Sequence, residues 1–307
     1  AQAILAQAVC QGLSCILDPP GRAGASAPLM CAEPLEGEHG GEEKVVPRRG
    51  AQPAPSDRAS PGMCRIDSLR STGSQTDYFR PEQTIILFDW DDTLCPSTWI
   101  RDNQPALNFF KPAPCEDRYL RPLKEMQRQA ERILTLALKM GKVIIVTNAM
   151  EPWVETSCRN FMPDLLPLVE KIPVIYARST CDGSFGACEE NASPQRWKEV
   201  AFGMEISSFY SQYERQSWKN VVSIGDSIFE RDAVRQVVLH RPSAQKPCRT
   251  KTAKLLDEPD IFELIAQVRV IHDALGMMVQ HDGPLDVEID ESDLEAELAL
   301  VENVVDV

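Results

Sequence analysis

Short apolar runs alternate along the middle of the chain with longer segments in which apolar residues recur every three or four positions. The short runs predict buried strands at 84–88, 143–148, 172–177, 221–224 and 252–256. The longer segments predict helices at 122–140, 194–213, 231–239 and 259–275. Strands that alternate with helices indicate an α/β fold, a Rossmann-like α/β/α arrangement of three layers around a parallel central sheet.

Polar residues stand where three of these strands end. Asp89 and Asp91 follow the first strand, Thr147 closes the second, and Gly225 and Asp226 follow the third. Residues i and i+2 of a strand face the same way, so Asp89 and Asp91 can converge on one point. Burying several carboxylates is costly unless a positive charge meets them. We therefore expect a cation at the carboxyl ends of these strands.

Further charged residues extend this set. Lys198 lies at the predicted start of a helix, and Glu230 lies four residues beyond Asp226. Asp232 is a competing candidate for the second acidic position of that segment. Asp92 points away from the preceding aspartate in the strand register, so we expect it to be a solvated or capping carboxylate.

These positions, in this order, resemble the four motifs of the haloacid dehalogenase-like (HAD) hydrolases. The matching residues are, in motif order, the Asp-x-Asp-x-Thr segment at 89–93, Thr147, Lys198 and Asp226. The resemblance covers residues 81–283. Trp90 replaces the leucine usual in the RNA polymerase C-terminal-domain phosphatases, and the later segments look closer to a little-characterised group of HAD-like proteins of single-celled eukaryotes.

The resemblance implies a Mg²⁺-dependent phosphatase that hydrolyses phosphate monoesters through an aspartyl-phosphate. Asp89 would be the nucleophile, and Asp91 would donate and accept the proton. The phosphate would be bound by Thr147, Asn148 and Lys198. The magnesium ligands would be Asp89, the backbone carbonyl of Asp91 and Asp226, with Glu230 as a further candidate.

The spacing of the motifs leaves no room for a cap domain. Residues 94–117 form a loop of roughly two dozen residues, and the segment between Thr147 and Lys198 is filled by predicted elements, whereas a folded domain needs about fifty residues or more. Within the resemblance, this indicates the capless class, whose open sites often accept macromolecules, so a phosphoprotein is a candidate substrate. The loop carries Trp99, Ile100, Phe109 and Phe110, which either pack beneath it or form a recognition surface.

A second function class stays open on the sequence. The chain could be a catalytically silent HAD-like module that keeps the phosphate-binding shell and acts through its two tails. The intact acidic, hydroxyl and lysine positions favour the enzyme.

Composition narrows the class of partner. The formal net charge of −14 weighs against nonspecific binding to nucleic acid or to an anionic membrane surface. No run of eighteen or more apolar residues predicts a membrane span. The ten cysteines form no C-x-x-C pair, which argues against a zinc site. We expect a cytoplasmic protein with reduced thiols, and a nuclear location is also compatible.

The two ends of the chain differ from its middle. Residues 1–80 are rich in Pro, Gly, Ser and Ala and predict a disordered N-terminal arm, which leaves the hydrolase domain at 81–282. From Asp282 onward the chain has ten acidic residues and no Lys or Arg. The segment 283–307 therefore predicts an acidic tail, either solvated or forming a short helix with a capping box at Ser292 and Glu295. We expect both tails to be dispensable for chemistry.

Overall fold

The central sheet has six strands, all parallel, in the order β3-β2-β1-β4-β5-β6. It is seen in a computed structural model that describes residues 75–183, 192–212, 216–242 and 244–305. The strands are β1 (Thr84–Phe88), β2 (Lys142–Thr147), β3 (Val174–Tyr176), β4 (Asn220–Gly225), β5 (Arg249–Lys254) and β6 (Leu285–Glu288). The predicted N-terminal arm lies outside the described residues except for 75–80.

Helices follow the strands and cover both faces of the sheet. They are α1 (Ser97–Asp102), α2 (Asp117–Met140), α3 (Trp153–Phe161), α4 (Leu166–Val169), α5 (Ala177–Gly183), α6 (Pro194–Phe209), α7 (Ile228–Leu239), α8 (Ile261–Gln280) and α9 (Glu291–Val305). Two short 3-10 turns lie at Pro81–Gln83 and Pro163–Leu165. The predicted α/β fold with its parallel sheet is confirmed.

Alternate residues of β1 supply two separate hydrophobic clusters. Ile86 and Phe88 belong to a large cluster with the buried faces of α2, α3 and α8. Ile85 and Leu87 belong to a smaller cluster with the apolar residues of α6 and α7. A strand presents successive side chains to opposite faces, so β1 can be apolar throughout only because helices cover both sides. The fold therefore has three layers, with β1 in the middle one.

Local capping explains where two of the helices begin. Ser227 caps α7, and Glu230 closes a capping box with its backbone. This starts α7 three residues earlier than predicted and places Glu230 in its first turn. The start of α2 is also earlier than predicted, because Pro122 lies inside the helix rather than in its first turn. Tyr119, in the added turn, packs edge-on against Trp99.

The structure corrects the predicted domain boundary at 282. The strand predicted as the last one, β5, pairs in parallel with β6, which belongs to the segment predicted as a tail. Five apolar side chains of this segment are buried in the large cluster: Leu285, Val287, Ile289, Leu294 and Val301. Each buried side chain of this size stabilises the fold by about 1.5–3 kcal/mol. Residues 285–301 are therefore part of the domain.

Arginines elsewhere in the chain explain how so acidic a segment can pack. Arg231 binds Asp286 at 2.6 Å and Glu288 at 2.8 Å. Helix α9 does form, but its cap is Asp290, whose carboxylate accepts from the backbone of Asp293 at 3.1 Å, and not the predicted Ser292. The segment thus meets its positive partners within its own domain.

Candidate active site

The candidate site lies at the carboxyl ends of β1, β2 and β4, the strands at the centre of the sheet. The chain connections diverge at β1, because β2 and β3 lie on one side of it and β4 to β6 on the other. Parallel sheets of this kind open a crevice at such a point. Asp89, Thr147 and Asp226 stand at these strand ends. The backbone N–H of Asp89 donates to the carbonyl of Ile224 at 2.9 Å, so β1 and β4 stay paired up to the site.

Lys198 is the buried cation of the site and has no exposed surface. Its Nζ lies 2.6 Å from Oδ1 of Asp89 and 2.9 Å from Oε1 of Glu230. It also donates to the carbonyl oxygen of Val146 at 2.6 Å. An ammonium group has three protons, so these three protein oxygens use all of its donors. Lys198 is predicted to bind phosphate, but in this arrangement none of its three protons is left for a phosphate oxygen. The lysine acts on the site through its positive charge.

Asp89, Asp226 and Glu230 form a group that we call the acidic triad. One carboxylate oxygen from each lies within 4.8 Å of the others. Thr93 holds Asp226 in place, because its hydroxyl accepts from the backbone N–H of Asp226 at 3.1 Å and donates to Oδ1 at 3.4 Å. Asp232, the competing candidate on α7, is not in the triad. Of the two alternatives, Glu230 is the one that the fold brings to the site.

Gly225 is required by the space that Glu230 occupies. A Cβ at this position would lie 2.7 Å from Cγ and 2.9 Å from Oε2 of Glu230. Sequence reasoning attributes this glycine to a tight exit from the strand. The structure gives a steric reason instead: the missing side chain lets Glu230 fold back against β4 and reach Lys198.

The triad carries more negative charge than Lys198 can offset. Burial raises the pKa of Asp89 to about 7, against the lowering effect of Lys198 and with a further rise from Glu230. Burial and the charges of Asp89 and Glu230 raise the pKa of Asp226 to about 9. Burial alone would lower the pKa of Lys198, but the two carboxylates that it touches raise it above its ordinary value, so the lysine stays charged.

Asp91 is separated from the triad by its own set of hydrogen-bond donors. Its Oδ1 accepts from the hydroxyl of Ser97 at 2.5 Å and from the indole N–H of Trp153 at 2.6 Å. Its Oδ2 accepts from the hydroxyl of Thr147 at 3.2 Å. Ser97 comes from the start of α1 and Trp153 from the start of α3, so three different elements fix the rotation of this carboxylate.

Trp90, two residues after the end of β1, is also bound to helix α3. Its side chain is fully buried, and its indole N–H donates to the hydroxyl of Ser157 at 2.8 Å. Trp90 donates from the segment that follows β1 to α3, and Trp153 donates from α3 back to the same segment. The two indoles therefore form reciprocal hydrogen bonds between the helix and the chain at the site.

Of the two roles predicted for Asp92, solvated or capping, the structure shows the capping one, since the side chain is buried. Asp92 has a positive φ of 47°, and its Oδ1 accepts from the backbone N–H of Thr98 at 2.8 Å. Its Oδ2 accepts from the Thr98 hydroxyl at 2.7 Å. These bonds satisfy the first turn of α1, which in turn carries Ser97 to Asp91.

Thr147 and Asn148 both lie at the site. Besides its bond to Asp91, the hydroxyl of Thr147 accepts from the backbone N–H of Ala149 at 3.0 Å. The amide nitrogen of Asn148 donates to the carbonyl of Pro194 at 3.4 Å, at the first residue of α6. Its Oδ1 is buried and has no hydrogen-bond partner among the described residues. This oxygen is free to accept from a ligand or from water.

The loop before α2 packs on the domain with one exception. Ile100 is fully buried, and Trp99 and Phe109 are partly buried against the large cluster. Phe110 is 85% exposed, and Met150, close beyond the end of β2, is 68% exposed. The prediction that the aromatic residues pack beneath the loop is therefore confirmed for Trp99 and Phe109, and it is wrong for Phe110.

Sequence reasoning misses Ser97 and Trp153 as site residues. Ser97 lies outside the Asp-x-Asp-x-Thr segment, and Trp153 is 62 positions away from Asp91. No spacing rule links a tryptophan at the start of one helix to a carboxylate after a different strand. The packing of α3 against β1 is what brings the two together.

Comparisons with known proteins identify no relative of this chain. No protein-family model, curated protein or solved structure gives a match to the chain. Within the part of the chain that the structure describes, no helix is both long and apolar enough to cross a bilayer.

Proposed function

We propose that the protein is a Mg²⁺-dependent phosphatase of the HAD type, which hydrolyses phosphate monoesters through an aspartyl-phosphate on Asp89. The observation that carries the proposal is the buried pair of Asp89 and Lys198 beside Asp226, at the carboxyl ends of neighbouring strands. A carboxylate held by one lysine and repelled by two acids is a poor structural salt bridge, because its charges do not balance. The order of the motifs along the chain gives independent support.

The residues present fit a magnesium ion. All the donors of the acidic triad are hard oxygens, which Mg²⁺ prefers, and the raised pKa values of Asp89 and Asp226 indicate a shortage of positive charge. Asp89, Asp226 and the backbone carbonyl of Asp91 would hold the ion. Bound Mg²⁺ would offset the repulsion between a phosphate and the attacking carboxylate.

Glu230 is better suited to hold Lys198 than to bind the metal. Its Oε1 binds Lys198 at 2.9 Å, and its Oε2 accepts from the backbone N–H of Ser227 at 3.2 Å. Both of its oxygens are therefore already engaged by the protein. The proposal accordingly assigns Glu230 to orienting the lysine rather than to the magnesium shell.

In the proposed reaction, an oxygen of Asp89 forms a bond to phosphorus while the bond from phosphorus to the ester oxygen breaks. Asp91 gives a proton to the departing oxygen, which leaves as an alcohol. A water molecule then attacks phosphorus, its proton passes to Asp91, and the bond to Asp89 breaks. Inorganic phosphate is released and both aspartates regain their starting states. Lys198 orients Asp89 by holding Oδ1, and Thr147 can donate to a phosphoryl oxygen.

Phosphoproteins are the substrate class that the mouth of the site suits best. The described residues between α1 and α2 form a short packed loop rather than a cap, and Phe110 and Met150 expose apolar surface. An exposed aromatic ring can contact a peptide beside its phosphate. A reducing compartment, the cytoplasm or the nucleus, would suit the free thiols of Cys95, Cys115, Cys158 and Cys248.

The test is hydrolysis of p-nitrophenyl phosphate by the full chain, with and without Mg²⁺. We expect turnover that EDTA abolishes. Asp89→Asn should lower kcat by about 10⁴-fold or more, because the nucleophile is lost. Asp232→Asn is the matched control: it neutralises an aspartate of α7 that lies outside the acidic triad, and it should keep the activity of the wild type.

The silent binding module is the competing function, and the engagement of every donor of Lys198 by protein oxygens favours it. The two are separated by beryllofluoride, which mimics a phosphoryl group. A folded wild type that binds beryllofluoride with Mg²⁺ but turns over no phosphate ester from a broad panel would be a binding module. Turnover that survives in Asp89→Asn would instead overturn the aspartyl-phosphate mechanism.

A further inference from the structure

The surroundings of Asp91 distinguish its two oxygens. Trp153 and Ser97 both reach Oδ1, whereas Thr147 alone reaches Oδ2. An indole N–H can only donate, while a hydroxyl can donate or accept. Oδ1 must therefore remain an acceptor as long as Trp153 is in place, since a proton on that oxygen would face the indole proton.

We propose that Trp153 is a positioning residue for Asp91: its indole N–H holds Oδ1 and so keeps the carboxyl group in one orientation in the site. The inference rests on the proposed phosphatase function and deepens it. With Oδ1 held by the indole and Oδ2 by the Thr147 hydroxyl, any rotation of the carboxyl group would break bonds to both.

The loop before α2 supports the indole from outside. Phe109 packs edge-on against Trp153, with ring centroids 5.2 Å apart. The backbone carbonyl of Phe109 accepts from the side-chain amide of Asn160 at 3.0 Å, which attaches this part of the loop to α3. Removing the indole N–H while keeping an aromatic ring at position 153 should therefore leave the loop packed and affect only Asp91.

Two esters with different leaving groups test the inference. p-Nitrophenolate is a good leaving group and departs without a proton. The leaving oxygen of β-glycerophosphate would be an alkoxide, which needs a proton in order to depart. Trp153→Phe should lower kcat for β-glycerophosphate by about 10–100-fold and for p-nitrophenyl phosphate by less than about threefold. Trp99→Phe is the matched control, because Trp99 packs on Tyr119 instead of Asp91. It should leave the ratio of the two kcat values unchanged.

A second measurement does not depend on turnover. The indole ¹⁵N–¹H resonance of Trp153 is assigned by its disappearance in Trp153→Phe, and it should move upfield in Asp91→Asn, because a neutral amide oxygen is a weaker acceptor than a carboxylate. The Trp99 resonance should not move. Equal losses of kcat on both esters, or an unmoved Trp153 resonance, would overturn the inference. A wild type that hydrolyses neither ester would overturn the proposed function first, and the role of Trp153 in turnover with it.

Discussion

Charged side chains are buried at both ends of the sheet, but the groups that surround them differ. At the carboxyl end, the acidic triad shares one cation, Lys198, and all four side chains are at least partly enclosed. Toward the amino end, two lysines, Lys219 and Lys251, are buried beside neutral oxygens. One end has too few positive charges, and the other has too few negative ones.

The amino end resolves its imbalance by itself. Lys219 donates to the backbone carbonyl and the hydroxyl of Ser217 at 3.1 and 3.0 Å. Lys251 donates to Oδ1 of Asn220 and lies over the ring of Tyr78, 5.2 Å from its centroid. Burial lowers the pKa of Lys251 to about 7 and also lowers the pKa of Lys219. A lysine that gives up its proton can still donate to a neutral oxygen, so nothing further is needed there.

The carboxyl end cannot resolve its imbalance in the same way. Protonating Asp89 or Asp226 would remove charge, but it would also weaken the contact with Lys198, whose own proton is firmly held. A cation from outside would satisfy both acids without that cost. The comparison teaches that a buried charge becomes evidence for a ligand only when the protein offers no neutral partner for it.

The largest expected effect comes from ending the chain at residue 282, which contradicts the dispensable tail predicted from the sequence. The truncation removes β6, whose Leu285 is paired with Lys251 of β5, and so opens the lysine end of the sheet to water. We expect loss of cooperative thermal unfolding, measured by circular dichroism.

Single substitutions give a graded form of that test. Leu294→Ala, at a fully buried position, should cost about 2–5 kcal/mol of unfolding free energy, and Leu300→Ala, at a half-exposed one, should cost far less. A truncated chain that still unfolds cooperatively at the wild-type temperature would show that the packing of β6 contributes nothing to stability.

The next prediction compares the two ends directly. Lys198→Met leaves Asp89 and Glu230 buried without their cation, and it should lower the free energy of unfolding by about 3–5 kcal/mol in the absence of metal. Lys251→Met leaves only the neutral Oδ1 of Asn220 without its donor, a loss of about 1–3 kcal/mol that is partly offset because no lysine needs to be buried. Urea denaturation at pH 7 measures both. Equal losses would mean that the two ends do not differ as described.

A smaller effect is expected from filling the space at Gly225. Gly225→Ala forces Glu230 away from β4 and should cost about 1–3 kcal/mol, together with a fall in kcat as Lys198 loses one partner. Gly276→Ala is the control: its Cβ would lie 3.5 Å from the end of Met140, an ordinary contact, and inside the last turns of α8 it should gain about 0.5–1 kcal/mol. An unchanged kcat in Gly225→Ala would show that the position of Glu230 does not affect the reaction.

The smallest effect is a slope with pH. The folded-state pKa of Lys251 is lowered from 10.5 to about 7, so between these values the unfolded chain binds the proton and the folded chain does not. Loss of the Lys251 proton in the folded chain therefore makes the protein more stable as the pH rises from 7 to 10.5, and it contributes nothing below pH 7. The difference in unfolding free energy between wild type and Lys251→Met should grow by about 2 kcal/mol from pH 7 to pH 9. A constant difference would mean that Lys251 stays protonated.

Sequence reasoning succeeds where the local pattern and the strand ends carry the information. Asp89, Lys198 and Asp226 do come together, and Thr147 contacts Asp91 beside them, because short apolar runs identify buried parallel strands and such strands align their carboxyl ends. The partners of these residues depend on packing between distant elements. For this reason the three acceptors of Lys198, the steric role of Gly225 and the indole of Trp153 are not readable from spacing.

The acidic tail shows a different kind of error. Leu285, Val287 and Ile289 alternate with acidic residues, which is the pattern of a strand with one buried side. The high charge of the segment obscures that signal, because the arginines that pair with its acids lie on other helices: Arg231 on α7 and Arg269, the partner of Glu297, on α8. Net charge counted over a segment says little when the opposite charges lie elsewhere in the fold.

The reciprocal indole hydrogen bonds of Trp90 and Trp153 have a mechanical consequence. The two hydrogen bonds run in opposite directions between α3 and the segment that follows β1. Sliding α3 along its axis or turning it about that axis would break at least one of them. A movement of α3 caused by a macromolecule bound to the loop would therefore shift the indole of Trp153 and, with it, the carboxylate of Asp91.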